Sequence, residues 1–512
     1  MGAETERTGT EPSGKKRNDG VERAGGTEGT GRTGGTERIE TEVCVVGGGP
    51  GGRALALALT QLGRGVVLLE KRDPARSAGP SFRGESVSPD GVRLLDGLGV
   101  LDHVREATHR VDRLEIQDAG HRVLRVRFED FPYAYRHPVE LAQPVLLSAL
   151  AARTHALATR THPHAQAEAA RTQGAGESTA AGECTVLEPA VAVGLLTEGA
   201  AVTGVRATTP RGPVEIGAAL TVGADGRNSA VRRLAGLDTH ARRTPLERDV
   251  IWMKLPFPAA WDRRTYRVRI GRRGHGLFLP STDGTVRVGL NVAKGGLRAL
   301  RSGGLDHLRT RLAQLAPEAA DAVHEGLSGW SDTTLLDIFT TEVPRWSAPG
   351  VVLIGDAAHT LSPILGQGIN HALADAVALA PLVARALGPA GRDGGGGART
   401  GTGGGAGRRS GHGGGPLSLA LGDFQRQREG DVRRSRALQL RQERMFALTA
   451  PAAGVLRRSV YRTVNASPAL QRRVLAPAYF PGRRPQPPRA SRDGTRAGPT
   501  PADARPKEDE PT

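Results

Sequence analysis

The sequence is short of the residues that would staple a secreted fold together or carry one into a membrane. Two cysteines in 512 residues cannot build a disulfide framework, and Cys44 lies inside an apolar run that reads as a buried strand. No stretch approaches the roughly 18 consecutive apolar residues of a spanning helix, and the N-terminal residues hold no apolar segment of signal-peptide length. These absences lead to the expectation of a cytoplasmic protein with no integral membrane segment. Aromatics are 4% of the residues, too few to interleave with basic side chains as nucleic-acid modules require, so the formal charge of +17 is not read as a nucleic-acid footprint. Arginines scattered over solvated faces account for it, and the field they create would draw in anionic small molecules.

Apolar residues are themselves missing from several segments. Residues 1–38, 388–415 and 481–512 are dominated by Gly, Thr, Pro, Arg and acids. They cannot bury enough apolar surface to offset the entropy of ordering, and are expected to be disordered. Residues 162–184 read as a mobile insertion. His155, His162 and His164 lie in or beside it without the rest of a ligand set, so no metal is expected.

What is present begins as strand, turn and helix. Val43–Val46 form a short continuous apolar run, as in a strand covered on both faces. Gly47, Gly49 and Gly52 then give G-x-G-x-x-G, with Pro50 and Gly51 opening an Ala/Leu-rich helix. Val66–Leu69 form a second strand that ends on Glu70 and Lys71. Gly47 permits the sharp turn, Gly49 lets a pyrophosphate approach the backbone, and Gly52 allows close helix–strand packing. The helix end offers unpaired N–H groups to phosphate, and the acid about 20 residues on is placed to accept from ribose hydroxyls. The spacing predicts a dinucleotide site.

The pattern recurs twice. Leu220–Gly223 lead into Ala224-Asp225-Gly226, and Val351–Ile354 lead into Gly355-Asp356. The latter continues through Pro363 and Gly366-Gln367-Gly368-Ile369-Asn370 into an Ala-rich helix. Glycines there bring backbone N–H groups against a planar ring, and the positive helix end favours negative charge.

With its three motifs in this order, the chain resembles the single-component FAD-dependent aromatic hydroxylases of the p-hydroxybenzoate hydroxylase type over roughly residues 40–387. The resemblance implies an α/β fold: a Rossmann-like FAD-binding domain, an interleaved antiparallel-sheet substrate domain and C-terminal helices. It places the FAD-binding parts at 39–240 and 346–387, the substrate domain at 241–345 and the helices at 416–480. It assigns Asp356 to the flavin ribityl chain and the Asp225-Gly226 pair to FAD and NAD(P)H. Arg83 falls to the pyrophosphate and ribose, and Gln143 to the cofactor's surroundings. His359 is expected to pack beside the cofactor rather than act as a base. The catalytic residues stay unassigned.

The implied reaction is reduction of FAD by NAD(P)H, then transfer of one oxygen of O2 through a flavin C4a-hydroperoxide to an aromatic or polyketide-like substrate. No second strand–G-x-G-x-x-G–helix unit occurs, which fits transient nicotinamide binding. Two rivals share the fold. One is a reductase of the geranylgeranyl type; the other is a halogenase, whose G-W-x-W-x-I-P survives here only as Gly329-Trp330. Trp252, Phe278 and Leu290 are candidate pocket residues on strands of the middle region. Residues 451–480 look amphipathic, suited to packing on the body, to a homodimer contact or to a membrane surface, with packing preferred.

Overall fold

The computed structural model describes residues 36–73, 85–159, 182–272, 274–388, 415–447 and 451–480. Within them, two large sheets organise the chain. In the first, Val351–Leu353, Gly212–Gly223, Glu37–Val46, Val66–Leu69 and Cys184–Leu187 lie side by side and parallel. Val43–Val46 and Val66–Leu69 are buried along their length, which is why they are continuous apolar runs rather than alternating ones. The helix Pro50–Gln61 buries every residue from Ala54 to Thr60. It crosses the helix Gly368–Ala386 so closely that a Cβ on Gly51 would lie 3.1 Å from the Ala372 Cβ.

The second sheet runs Thr334–Leu336, Arg248–Pro256, Thr285–Ala293, Gly274–Pro280, Thr265–Gly271, Arg113–Asp118, His121–Arg127. Its pairings are antiparallel except where Thr265–Gly271 meets Arg113–Asp118. Residues 113–127 therefore belong to this sheet, although their place in the chain had put them with the first. The pairing spans some 150 residues, and local periodicity carries no sign of it. Strand alternation gives the sheet two distinct faces. Ile251, Met253, Phe278, Val288 and Leu290 pack against Leu308, Leu312 and Val323 of the outer helices. Trp252, Tyr266, Val268 and Leu277 face Tyr461, Leu475 and Tyr479 of the C-terminal helices.

Those C-terminal helices, Pro451–Ala466 and Pro468–Tyr479, pack on the body. Phe480 stacks on Phe131 and Tyr133 with ring centroids 5.1 and 4.2 Å away. Arg457 grips Asp118 with two hydrogen bonds of 3.0 and 2.9 Å. Val455, Leu456 and Val460, on the apolar side of the expected amphipathic segment, are instead exposed.

The solvated-arginine reading needs the same correction: Arg232, Arg269, Arg287, Arg428 and Arg457 are buried, each paired with a carboxylate. The tail expected at 1–38 ends sooner, since Glu37 and Arg38 already pair with Val214 and Glu215. Likewise Cys184, placed in the insertion, starts a strand on Val66. Residues 162–181 of the expected insertion, all but the ends of 388–415, and 481–512 lie outside the described residues.

Two buried imidazoles give the fold a pH dependence. His275 is fully buried, and among the described residues neither ring nitrogen has a hydrogen-bond partner. Burial and the nearby Arg248 and Arg457 drive it down to about 3. His371 is driven equally low, by burial and by His359 and Arg428. Both stay neutral in the folded chain and protonate near 6.5 once it unfolds, so between pH 6.5 and 3 the unfolded state binds more protons. Stability is therefore full above that window and falls as pH drops through it, by up to about 1.4 kcal/mol per pH unit for each group. Replacement His275→Leu is expected to flatten the fall; denaturant unfolding from neutral pH to about pH 5 measures it.

Candidate active site

The three motifs follow the C-terminal ends of three neighbouring parallel strands, Glu37–Val46, Gly212–Gly223 and Val351–Leu353. At the first, Gly47 has φ +111°, and a Cβ there would fall 2.5 Å from the Ala224 carbonyl oxygen. A Cβ on Gly52 would lie 1.9 Å from the Gly47 carbonyl oxygen. Gly49 is the opposite case, with nothing within 4 Å of its Cβ position. It caps the helix Pro50–Gln61 without a side-chain hydrogen bond, so the first-turn N–H groups are left for an anion. The Glu70 carboxylate accepts from the Gly48 N–H at 2.7 Å and the Arg72 N–H at 2.8 Å. Each oxygen keeps a lone pair for a further donor.

At the second motif, Asp225 accepts from Ser229 Oγ at 2.5 Å and from the backbone N–H of Ala230 at 2.6 Å. Its carboxylate thus organises the turn that carries Gly226 and Arg227. At the third, Gly355 has φ +58° and donates its N–H to Asp375 Oδ2 at 2.8 Å. Burial raises the Asp356 carboxyl above its usual range, against the pull of Arg227 and His359. Pro363–Leu365 form a tight turn, Gly366 takes the left-handed conformation, and Gly368–Ala386 begins with no capping side chain. The space beyond Gly368 is open, with nothing within 4 Å of a Cβ. Asn370 spends its amide internally, accepting from the Ser88 N–H at 2.9 Å and donating to the Gly366 carbonyl at 3.1 Å.

These pieces line one cavity of about 1040 Å³. It gathers Gly47, Gly49, Pro50, Gly51, Glu70 and Lys71, then Gln143, Asp225 and Gly226, then Gly355, Asp356, Pro363, Gly366, Gly368, Ile369 and Asn370. Gly52 stands behind its wall, and Arg83 lies outside the described residues. His359 is buried away from the lining, with Nε2 2.7 Å from Asp375 Oδ2, a structural position. Asp375 also receives Arg428 Nε at 2.8 Å; burial pushes its carboxyl up, but His359 and Arg428 together hold it well below the usual carboxylate range. Among the pocket candidates, Trp252 lines the cavity, whereas Phe278 and Leu290 turn to the sheet's other face. Sequence reading missed the lining residues Arg53, Glu85, Tyr266 and Arg287. Glu85 was legible as an acid two residues past Arg83. Arg53 holds the first turn through the Gly48 carbonyl at 2.9 Å and pairs with Glu188 at 2.8 Å.

Two uncapped helix ends and a ribose-height acid at one mouth, opening beside an apolar sheet, fit an extended dinucleotide bearing a planar ring. The empty space at Gly49 and Gly368 is where its backbone contacts would fall, and the fold and site define a flavoprotein of the oxygenase type. The description "FAD binding domain" matches residues 40–394. The chain is 36% identical over 350 residues to 6-methylpretetramide 4-monooxygenase of Streptomyces rimosus, covering 68% of this chain and 76% of that protein. It is 25% identical over 374 residues to 3-hydroxybenzoate 6-hydroxylase 1 of Aquipseudomonas alcaligenes, covering 69% and 82%. The fold is shared with Pseudomonas aeruginosa PqsL solved with 2-aminobenzoylacetate, at TM-score 0.63 and 22% identity over 81% of this chain and 99% of that one. The chain belongs to the FAD-binding-domain family of flavin-dependent monooxygenases, and its cofactor is FAD.

Two substitutions test the site. Gly52→Ala forces a methyl into the Gly47 carbonyl and should yield folded protein with little bound flavin, read from its visible absorbance after gel filtration. Asp375→Asn removes the fully buried charge that Arg428 Nε meets and leaves the guanidinium only the Asp431 carboxylate, at 3.0 Å. It should cost about 3–5 kcal/mol of stability in denaturant unfolding.

Proposed function

We propose that the chain is an NAD(P)H- and O2-dependent hydroxylase of a polycyclic aromatic or polyketide-like small molecule. The observation that carries this reading is the continuity of the cavity. It runs from the open helix ends at Gly49 and Gly368 to an apolar wall formed by Trp252, Val268, Leu277 and Leu279. At about 1040 Å³ it lies just above the roughly 300–1,000 Å³ of ordinary ligand pockets, suiting a cofactor with a substrate beside it. The naming of relatives for 6-methylpretetramide and 3-hydroxybenzoate supports the same substrate class.

In this reading the pyrophosphate lies on the first turn of Pro50–Gln61, Glu70 takes the ribose, and Asp356 faces the ribityl chain. FAD supplies the redox chemistry when bound. The uncapped end at Gly368 favours negative charge on the ring edge beside it, prearranged as an oxyanion hole would be. Tyr461 and Tyr479 close the far side and keep water out.

A second reading, halogenation, loses ground because Trp330 sits in a short turn under Arg301 and outside the lining. The deciding measurement is oxygen consumption by flavin-loaded protein with NADH and NADPH across a panel of aromatic substrates. A hydroxylase raises O2 uptake on addition of its substrate and gains one oxygen in the product. NAD(P)H oxidation without substrate-stimulated O2 uptake points to a reductase and overturns the proposal.

A further inference from the structure

The substrate end of the cavity carries a buried charged cluster that none of the flavin-facing roles uses. Glu85, Glu140, Arg287 and Tyr266 are 2%, 0%, 3% and 5% exposed. Ser86 Oγ and Tyr266 Oη each donate to Glu140 Oε1 at 2.6 Å. Arg287 Nη2 donates to Glu140 Oε2 at 2.9 Å and to Ser86 Oγ at 3.0 Å. Glu85 accepts from Ser281 Oγ at 3.0 Å and lies 3.3 Å from Lys254 Nζ. The Arg287 Nε–H stands 3.9 Å from Glu85 Oε2 and has no hydrogen-bond partner among the described residues. An apolar wall would be at least as stable as these buried charges, so recognition accounts for them better than stability does.

Their position points the same way. Glu85, Ser86, Tyr266 and Arg287 line the cavity, and a Cβ on Gly366 would come 3.3 Å from the Ser86 Cβ. The segment bearing Glu85 is thus fixed against the turn that precedes the Gly368 helix end. A molecule held by Glu85 and Arg287 lies against the face on which the flavin ring is placed.

We propose that Glu85 and Arg287 read one edge of the substrate as a pair, Glu85 accepting from a hydroxyl and the Arg287 guanidinium donating to a neighbouring carbonyl. The ligand class is a hydroxylated aromatic ketone or its keto-enol form. Glu140 and Tyr266 are positioning residues that hold the guanidinium, and Trp252, with Arg287 5.2 Å from its ring centroid, supplies the apolar floor. A ring system lacking the pair leaves the Arg287 N–H buried and unmet, which is how such sites reject close analogues. The inference rests on the monooxygenase reading of this cavity.

The test is calorimetric titration of the flavin-loaded full chain with 8-hydroxy-1-tetralone, 6-hydroxy-1-tetralone and 1-tetralone. These carry the hydroxyl beside the carbonyl, remote from it, or not at all. The adjacent isomer should bind about tenfold tighter than either other ligand. Arg287→Met combined with Glu140→Gln, which keeps the buried charge balanced, should erase that preference and weaken all three ligands, since each carries the carbonyl. Glu85→Leu should erase the preference while leaving 1-tetralone, which has no hydroxyl, near its original level, and Arg287→Lys should keep only part of the preference. Equal binding of the three ligands by the unaltered chain overturns the proposal, as does a preference that survives in the variants. If the arginine variant does not fold, Glu85→Leu decides. Flavin content and substrate-stimulated O2 uptake of the same preparations separate the two claims. Their loss in the unaltered chain removes the monooxygenase reading, whereas their presence with an unchanged ligand preference removes only the paired recognition.

Discussion

The carboxylate of Asp375 is the interaction on which the site's geometry depends. It is fully buried, and it is held by the Gly355 N–H, His359 Nε2 and Arg428 Nε at 2.8, 2.7 and 2.8 Å. A charge in that position is tolerable only when every partner is in place. The three partners come from the Gly-Asp turn, the segment after it and the long helix Pro416–Ala447. One group therefore fixes the turn that presents Asp356 and brings back a helix from beyond the glycine-rich stretch. Arg428 extends the network to His371 Nδ1 at 3.1 Å, and His371 Nε2 meets Ser435 Oγ at 2.8 Å. Because Arg428 can only donate, His371 Nδ1 must accept, so the ring is neutral with its proton on Nε2. The same constraint that orders the site thus buries one of the two imidazoles that make the fold acid-sensitive.

Close backbone approach joins the rest. Gly47 abuts the Ala224 carbonyl, Gly52 abuts Gly47, and Gly51 abuts Ala372, so the first motif touches both of the others with no room for a side chain. Strand order makes this possible. Glu37–Val46, Gly212–Gly223 and Val351–Leu353 are neighbours, and segments hundreds of residues apart end at one sheet edge, where open α/β folds bind their ligands.

That geometry explains what was legible beforehand. Each motif is a local event, a strand, a tight turn and a helix end, and residue types at Gly47, Glu70, Asp225 and Gly368 report such events directly. The second sheet was legible only as separate strands. Which face of Arg248–Pro256 or Gly274–Pro280 looks into the cavity depends on register with distant partners, so Trp252 was placed well and Phe278 and Leu290 were not. Asp375 hid inside an Ala-rich helix, where a lone acid reads as a solvated position until its partners from Gly355 and Arg428 are known. Glu140 and Arg287 were invisible for the same reason: neither has a local motif, and their meaning comes from being buried together.

The arginines finally connect composition to chemistry. Read as a total, their charge suggests a solvated surface. In the fold, Arg457 forks onto Asp118 to hold a C-terminal helix over the second sheet, and Phe480 stacks on Phe131 and Tyr133 beside it. Arg428 holds Asp375 behind the Gly-Asp turn, and Arg287 pairs with Glu140 on the cavity wall. A planar guanidinium that keeps its charge when buried suits all three tasks, because each needs a directional donor in the buried interior. A lysine would supply the charge at any of these positions but not the fork. The excess of arginine is therefore partly a property of the interior, and it lies where the helices and sheets that enclose the cavity must be held in register.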